Sequence, residues 1–315
     1  VSTIYRLLLT AYRSPFTVYD LNGFNDFNGE KQMTAETAHP VIPEERGDDL
    51  HNLEFVDSAD LVLFVAGNQF MVMEELLGVF QSQNPEINRI FYETLPPGLE
   101  LKQILAGGAV FRDQLIDVRP DVYASVSEAA MKQLEEKNFI SGKDYFLYLH
   151  NRIVLMIPEG NLAEINSVQD LARSEVRVSQ PNPEYEDIAF HIIDMYRDAG
   201  GETLVHRIME EKRAEGTTML TTVHHRETPL RIQKGEADVG PVWSTEIKHA
   251  LHNNLPVDVV EPGEDLDQRK KINYYICPLK GSTNQENGAK FLQFIKSSKA
   301  QAIYQKYGFV PHFSN

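Results

Sequence analysis

The chain has 315 residues, of which 42% are hydrophobic, 10% aromatic and 24% charged, proportions that exclude collagen-like, coiled-coil and disordered classes. Thirty Lys and Arg residues against 46 Asp and Glu residues give a formal net charge of −16. A surface this acidic argues against nucleic acid or an anionic membrane as the main partner.

The first 58 residues differ from the rest because they show no sustained hydrophobic period. A short helix is predicted over Ser2–Tyr12, and a turn-rich stretch over residues 40–49. We interpret residues 1–58 as an irregular N-terminal extension packed along a larger body, and the sequence assigns it no role. Leu7–Leu9 is too short for the apolar segment of a signal peptide, so no signal peptide is visible in this chain.

From Ala59 onward, strand-like apolar runs alternate with helical patterns. Leu61–Val65 is a continuous apolar run typical of a buried parallel strand, and residues 71–80 follow it at helical spacing. The alternation predicts an α/β fold whose sheets are mainly parallel and flanked by helices. The other predicted strands are 87–92, 121–125, 147–157, 176–179, 237–243, 257–260 and 272–278. The other predicted helices are 99–105, 128–138, 168–172, 188–199, 203–215, 228–235, 245–253 and 285–307.

Two helix starts carry a serine or threonine followed three residues later by glutamate, the spacing of a capping box. These pairs are Ser125 with Glu128 and Thr283 with Glu286. The lone cysteine, Cys277, excludes an intrachain disulfide, and its apolar surroundings predict a small buried side chain.

Ligands of α/β sheets bind beyond the carboxyl ends of the strands, beside the N-termini of the following helices. Several such junctions carry polar or aromatic side chains where an ordinary turn would suffice. The residues that we single out there as ligand-binding are Asn68, Gln69, Thr94, Tyr185, His225, Arg226, Trp243 and Ser244. Each has a structural alternative: Asn68 as a helix cap, the proline-containing loop before Tyr185 as a rigid turn, and Trp243 as a core residue.

The segment 221–229 is the most distinctive junction, because two threonines, two histidines and an arginine precede a predicted helix. The fork of Arg226 matches an oxyanion or a carboxylate. His224 and His225 are adjacent, so at most one of them faces a pocket, and no metal-binding motif is present. A solvated polar loop is the alternative interpretation.

Four segments, taken in order, resemble the type II periplasmic solute-binding proteins, most closely the molybdate- and tungstate-binding branch that serves ABC transporters. They are residues 61–68, 120–127, 235–245 and 300–309. The resemblance implies two lobes joined by a hinge of two strands, with the ligand clamped between them. It implies that lobe 1 comprises residues 59–152 and 272–315, and that lobe 2 comprises residues 153–271.

The resemblance also implies which residues surround the cleft: Asn68, Thr94, the Tyr185 loop, His225 with Arg226, and Trp243. Molybdate binders have serine at the first two positions and tyrosine at the last, so the chemistry differs here. A larger or organic anion suits an arginine and a tryptophan better than molybdate or tungstate does.

We therefore expect a solute-binding protein for a small anion, with an ABC-transporter permease as its membrane partner. The resemblance implies a periplasmic or extracellular location, and we expect a monomer without cofactor, metal, nucleic acid or catalytic residues. The alternatives are the ligand-sensing domain of a regulatory system, or an enzyme on the same fold. A hydrolase of the GxSxG type lacks its motif here, and one cysteine with few loop arginines argues against a relative of hydroxymethylbilane synthase.

Overall fold

The computed structural model describes residues 39–142, 144–184, 186, 188–222 and 227–313. The strands are β1 Val41–Ile42, β2 Leu50–His51, β3 Leu61–Phe64, β4 Ile90–Glu93, β5 Ala109–Phe111, β6 Gln114–Ile116, β7 Val122–Ser125, β8 Phe146–His150, β9 Ile153–Pro158, β10 Val178–Gln180, β11 Thr218–Leu220, β12 Gly240–Trp243, β13 Val257–Val260, β14 Asn273–Pro278 and β15 Val310–Pro311. The α-helices are α1 Phe70–Gln83, α2 Pro97–Ala106, α3 Glu128–Glu136, α4 Ile188–His206, α5 Lys212–Ala214, α6 Glu227–Gln233, α7 Ser244–His252, α8 Gln285–Ile295 and α9 Ser298–Lys306. Short 3₁₀ helices cover Glu44–Asp49, Leu53–Phe55, Gly67–Gln69 and Val168–Ala172, and a π-helical turn covers Arg207–Glu211.

A seven-stranded sheet forms one body of the molecule, in the order β15-β8-β14-β7-β3-β4-β2. The α/β class with flanking helices is confirmed, but strand directions are more mixed than the mainly parallel sheets that the pattern predicts. β3 pairs in parallel with β4 and β7, whereas β14 pairs antiparallel with β7 and β8. The antiparallel strands arise because the chain leaves this sheet after β8 and re-enters it, running the other way, at β14.

Smaller sheets form the other body. β9 lies between β12 and β13 and pairs antiparallel with both, while β10 and β11 form a parallel pair. All of these strands come from residues 153–260, between the two passages of the chain through the larger sheet. The lobe boundaries expected after residues 152 and 271 stay a prediction.

Helices cover both faces of the seven-stranded sheet, because β3 is apolar at every position. Leu61 and Leu63 of β3 pack in one buried cluster with α1, α8 and α9, whereas Val62 and Phe64 pack in another with α2 and α3. Neighbouring strand residues point to opposite faces, so a strand that is apolar at every position is covered on both sides. Cys277 is buried in the second cluster, as predicted.

Both predicted capping boxes are wrong. Ser125 ends β7, and its hydroxyl accepts a hydrogen bond from the backbone of Ser127 instead of capping a helix. The last predicted helix starts at Gln285 as expected, but its N-cap residue is Asn284 and not Thr283, and the backbone N–H of Asn284 donates to Asp121 Oδ1 over 2.8 Å. At Asn284 the partner, Asp121, is distant along the chain, so the local spacing does not reveal it.

Two helical segments are interrupted where the sequence has glycines or a capping serine. The predicted break at Gly200–Gly201 is confirmed, and Gly201 has a φ of 67°, which glycine adopts without strain. The single helix predicted over residues 285–307 is divided into α8 and α9. The division lies at Ser297, whose hydroxyl accepts the backbone N–H of Ala300 and so caps α9. The helix predicted over Ser2–Tyr12 lies outside the described residues.

Close packing at Gly240 holds the start of α6 against β10 and β12. A Cβ atom added at Gly240 would lie 2.2 Å from Thr228 Cγ2 and 3.0 Å from the carbonyl oxygen of Ser179. The hydroxyls of Ser179 and Thr228 are 2.9 Å apart and hydrogen-bonded. The absence of a side chain at Gly240 therefore lets the helix start approach the sheet.

We predict that Gly240→Ala lowers the free energy of unfolding by about 1–3 kcal/mol, because the added methyl group must displace Thr228. Gly78→Ala is the matched control, since Gly78 is exposed inside α1 and a Cβ atom added there would have no heavy atom within 4 Å. That change should raise stability by about 0.5–1 kcal/mol. Urea unfolding measures both, and a Gly240→Ala protein as stable as the wild type would contradict the packing described.

Candidate functional site

A cavity of about 510 Å³ lies where the carboxyl ends of β3, β4, β7 and β12 come together. Its size is typical of small-molecule sites. The residues that line it are Arg46, Ala66, Gly67, Asn68, Phe70, Met71, Thr94, Pro96, Pro97, Val126, Glu186, Ile188, Pro229, Leu230, Trp243, Glu246, His249, Ala250 and Leu255. Most of these side chains are apolar, with polar and charged groups placed among them.

Gly67 brings the loops after β3 and β4 together. A Cβ atom at Gly67 would lie 2.9 Å from the carbonyl oxygen of Thr94, so only glycine permits this approach. The two strands pair in parallel, with Phe64 opposite Glu93, so their carboxyl ends coincide at one edge of the sheet. The loop residues Asn68 and Thr94 consequently line the same cavity.

Asn68 lies in the 3₁₀ turn before α1 and is tied to a buried tyrosine. Its Nδ2 donates to the hydroxyl of Tyr274, and the Nδ2 of Asn151 approaches the same hydroxyl at 3.3 Å. Burial raises the pKa of Tyr274 to about 12. Within the described part of the chain, the buried Oδ1 of Asn68 has no hydrogen-bond partner.

Thr94 is held by the segment that precedes β3. Its hydroxyl lies 2.9 Å from Nε2 of His51 and 3.4 Å from Oδ1 of Asp49. Its backbone N–H donates to the carbonyl oxygen of Asp49 over 2.9 Å. Burial lowers the pKa of His51, against the opposing effect of Asp49 and Asp48.

Gln69 and Ser244 are not among the residues that line the cavity. Oε1 of Gln69 accepts hydrogen bonds from the hydroxyls of Tyr148 and Tyr304, at 2.9 and 3.2 Å, inside the core. The hydroxyl of Ser244 lies 3.1 Å from Oδ1 of Asn151 and 2.5 Å from the carbonyl oxygen of Gly308. Both side chains therefore form hydrogen bonds within the protein that stabilise the fold.

Trp243 ends β12 and lines the cavity with 7% of its surface exposed. Tyr185, His225 and Arg226 lie outside the described residues, so their places in the site stay predictions. The hydroxyl of Thr221, from the same predicted junction as Arg226, donates to the carboxylate of Glu186.

Three charged residues and one histidine that line the cavity are not among the residues selected from the sequence. These are Arg46, Glu186, Glu246 and His249. Glu246 lies in the first turn of α7, directly after the strand that ends at Trp243, so the strand-to-helix rule applied two residues beyond Ser244 could have selected it. No local signal marks Arg46, because it lies in the turn-rich extension.

Residues 61–310 match the model of a family described as bacterial extracellular solute-binding proteins. The chain belongs to this family. It is a family of solute-binding proteins and not of enzymes, and its type II periplasmic-binding fold accounts for the two bodies described above.

Relatives and solved structures agree with this assignment. The chain is 22% identical over 268 residues to the molybdate-binding protein ModA of Haemophilus influenzae, a match that covers 81% of this chain and 91% of that protein. It is 24% identical over 189 residues to YvgL of Bacillus subtilis, which is described as an ABC transporter substrate-binding lipoprotein. This match covers 60% of this chain and 66% of YvgL, just under two thirds of that relative. The periplasmic molybdate-binding protein of Azotobacter vinelandii superimposes with a TM-score of 0.61 at 20% identity, covering 79% of this chain and 98% of that one.

Two buried glutamates lie in the same region of the fold as the Thr94 loop. Glu93, the residue before Thr94, is fully buried, and its Oε1 accepts a hydrogen bond from Gln103 over 3.0 Å. Burial raises the pKa of Glu93 to about 8. Burial also raises the pKa of Glu100, and the neighbouring carboxyl group of Glu93 raises it further. Glu93 is therefore a protonated structural group at neutral pH and adds no negative charge to the cavity wall.

We predict that Glu93 makes the protein less stable as pH rises. The unfolded chain releases this proton near the ordinary value of 4.5, whereas the folded chain keeps it until about pH 8. The stabilisation is therefore complete below about pH 4.5 and is lost as pH rises through 8, by a few kcal/mol in total.

Urea unfolding at pH 6 and pH 9 tests this prediction. Glu93→Gln keeps the shape of the protonated side chain, so the variant should lose less stability between the two pH values than the wild type does. Glu128→Gln serves as the control, because this carboxylate bonds Lys132 at the surface and has a lowered pKa. Equal losses in wild type and Glu93→Gln would show that Glu93 is ionised in the folded protein.

Proposed function

We propose that the protein binds a small organic anion between its two lobes and delivers it to the permease of an ABC transporter outside the cytoplasm. The observation that carries the proposal is the cavity itself, which has a volume of about 510 Å³ and a largely apolar lining. A tetrahedral oxyanion fills only a small part of that space and gains nothing from apolar walls, whereas an organic anion buries its carbon skeleton there.

The polar end of the proposed site is the loop pair after β3 and β4. Gly67 and Asn68 precede the 14-residue helix α1, whose N-terminus favours a negative charge, and Thr94 adds a hydroxyl. Rotating the amide of Asn68 by half a turn would let the Tyr274 hydroxyl donate to Oδ1, and would place the amide N–H groups where the orphaned oxygen now lies. Asn68 would then donate to an acidic group of the solute.

The opposite wall favours a solute that also carries hydrogen-bond donors. Glu186 and Glu246 line it, and two carboxylates on one wall disfavour a bare dianion. A hydroxyl or ammonium group on the solute would be a suitable partner. His225 and Arg226, which the sequence placed at this junction, are proposed to add positive charge beside these carboxylates.

Support for transport comes from the relatives of the chain. YvgL is described as a lipoprotein of an ABC transporter, and the family is extracellular. We therefore propose the same delivery role and location here, with binding and no turnover. In the described residues, no helix has the length and apolar character that a membrane crossing requires.

Trp243 offers a direct readout of binding, since it is the only tryptophan of the chain and lines the cavity. We predict that phenyllactate, which has a carboxylate, a hydroxyl and an apolar body, changes the fluorescence of Trp243 at lower concentration than lactate, 3-phenylpropionate or molybdate. Lactate lacks the apolar body, 3-phenylpropionate lacks the hydroxyl, and molybdate lacks the whole carbon skeleton. Native mass spectrometry of the purified protein identifies any solute already bound.

The proposal of an organic anion would be contradicted if molybdate or tungstate bound tightly and none of the three organic acids changed the fluorescence of Trp243. Trp243→Phe is the control for the signal, because it removes the reporter while keeping an aromatic ring at the cavity. Calorimetry on that variant separates loss of the signal from loss of binding.

We further predict that a bound solute brings the two bodies closer, because only a closed arrangement lets both walls contact it. Small-angle scattering with and without saturating solute measures this as a smaller radius of gyration. An unchanged radius at saturation would show that the solute occupies one lobe alone.

A further inference from the structure

Residues 39–51 precede the part of the chain that matches the family, residues 61–310, yet one of them, Arg46, lines the cavity. Two short pairings anchor this segment to the larger body. β1 pairs with β5 in parallel, Ile42 opposite Phe111, and β2 forms the edge of the seven-stranded sheet, His51 opposite Tyr92. The 3₁₀ helix Glu44–Asp49 is thus held at both ends.

The second anchor is reinforced by side chains. The ring of His51 stacks on the ring of Tyr92, with centroids 4.2 Å apart and planes 7° from parallel. Nε2 of His51 and the backbone carbonyl of Asp49 both bond Thr94, which lines the cavity. The segment and the Thr94 loop therefore form one connected structure.

Arg46 projects from this held helix to the cavity. Its Nη1 donates to Oδ2 of Asp49 over 3.1 Å, and 33% of the side chain is exposed. Among the residues that the structure describes, Asp49 is the one partner of the guanidinium, and only Nη1 takes part. Because Nη1 alone contacts Asp49, the N–H groups of Nη2 and Nε stay available to a ligand.

We infer that Arg46 is a ligand-binding residue, and that residues 44–51 form a specificity element added to the family's site. Its guanidinium binds the acidic group of the solute beside Thr94, while Asp49 fixes its direction. The inference rests on the proposed function, since it requires an anionic solute. It gives part of the N-terminal extension, to which the sequence assigned no role, a function in ligand binding.

The test measures binding of phenyllactate through Trp243 fluorescence in wild type, Arg46→Ala, Arg46→Lys and Arg89→Ala. Arg89 is the matched control, because it pairs with Asp60 at 2.7 Å on the surface and does not line the cavity. Arg46→Ala should weaken binding about ten- to hundredfold, because the solute loses its charge-assisted hydrogen bonds to the guanidinium. Arg46→Lys should recover part of the loss, and Arg89→Ala should bind as the wild type does.

Removing Arg46 leaves the buried carboxylate of Asp49 without its cation, and the variant could fail to fold. The double variant Arg46→Gln with Asp49→Asn keeps a neutral hydrogen bond in place of the ion pair. It should fold, by circular dichroism and urea unfolding, and still bind at least tenfold more weakly.

Two outcomes overturn the inference, and they can be told apart. If wild type binds phenyllactate and Arg46→Ala or the double variant binds it equally well, Arg46 only neutralises Asp49 and the proposed function stands. If wild type binds neither phenyllactate nor the other organic acids, the proposed function fails and the role of Arg46 as the anchor of an organic anion fails with it.

Discussion

The parts of the molecule that surround the cavity are joined through the buried hydroxyl of Tyr274. It accepts hydrogen bonds from Asn68, in the loop after β3, and from Asn151, where the chain leaves the larger sheet. Asn151 in turn contacts Ser244 and Thr245 at the start of α7. Because a buried polar group without a partner costs roughly 1–3 kcal/mol, each link holds the next in place. The Asn68 loop, the crossing of the chain and the opposite wall are thus mechanically connected.

Hydrogen bonds inside the protein explain why several polar residues at strand ends do not line the cavity. Gln69 bonds two core tyrosines, Ser244 bonds the crossing, and Thr221 bonds Glu186. A polar side chain in a protein interior must find a partner, and the framework supplies it before any solute does. The cavity wall is left with few polar groups and many apolar ones, which is the property that favours a solute with a carbon skeleton.

The edge strand β2 of the seven-stranded sheet brings an additional segment of the chain to the site. β2 adds to β4 through two residue pairs, and that short pairing is enough to bring Asp49 and His51 to Thr94. An edge strand offers unpaired backbone groups to any segment that can reach it. In this chain the edge pairing brings residues from before the family match to the Thr94 loop.

The sequence by itself determined the alternation of strands and helices, the break at Gly200–Gly201 and the buried Cys277, because periodicity, glycine and apolar runs act locally. Three of the residues selected from the sequence, Asn68, Thr94 and Trp243, line the cavity, and their role in binding stays a prediction. Asn68 and Thr94 lie together because β3 and β4 are parallel and their carboxyl ends coincide at one edge of the sheet. The resemblance supplied the two-lobed type II fold, which the structure and the family match bear out.

Only the tertiary structure decided which neighbouring side chain faces the cavity and which faces the core. Asn68 and Gln69 are adjacent and chemically alike, and what separates them is the position of Tyr274 on one side and of Tyr148 and Tyr304 on the other. The approach of Arg46 depends on contacts between Asp49 and Thr94, 45 residues apart along the chain. Contacts at that separation leave no trace in local spacing, because they form only when the edge strand pairs with the sheet.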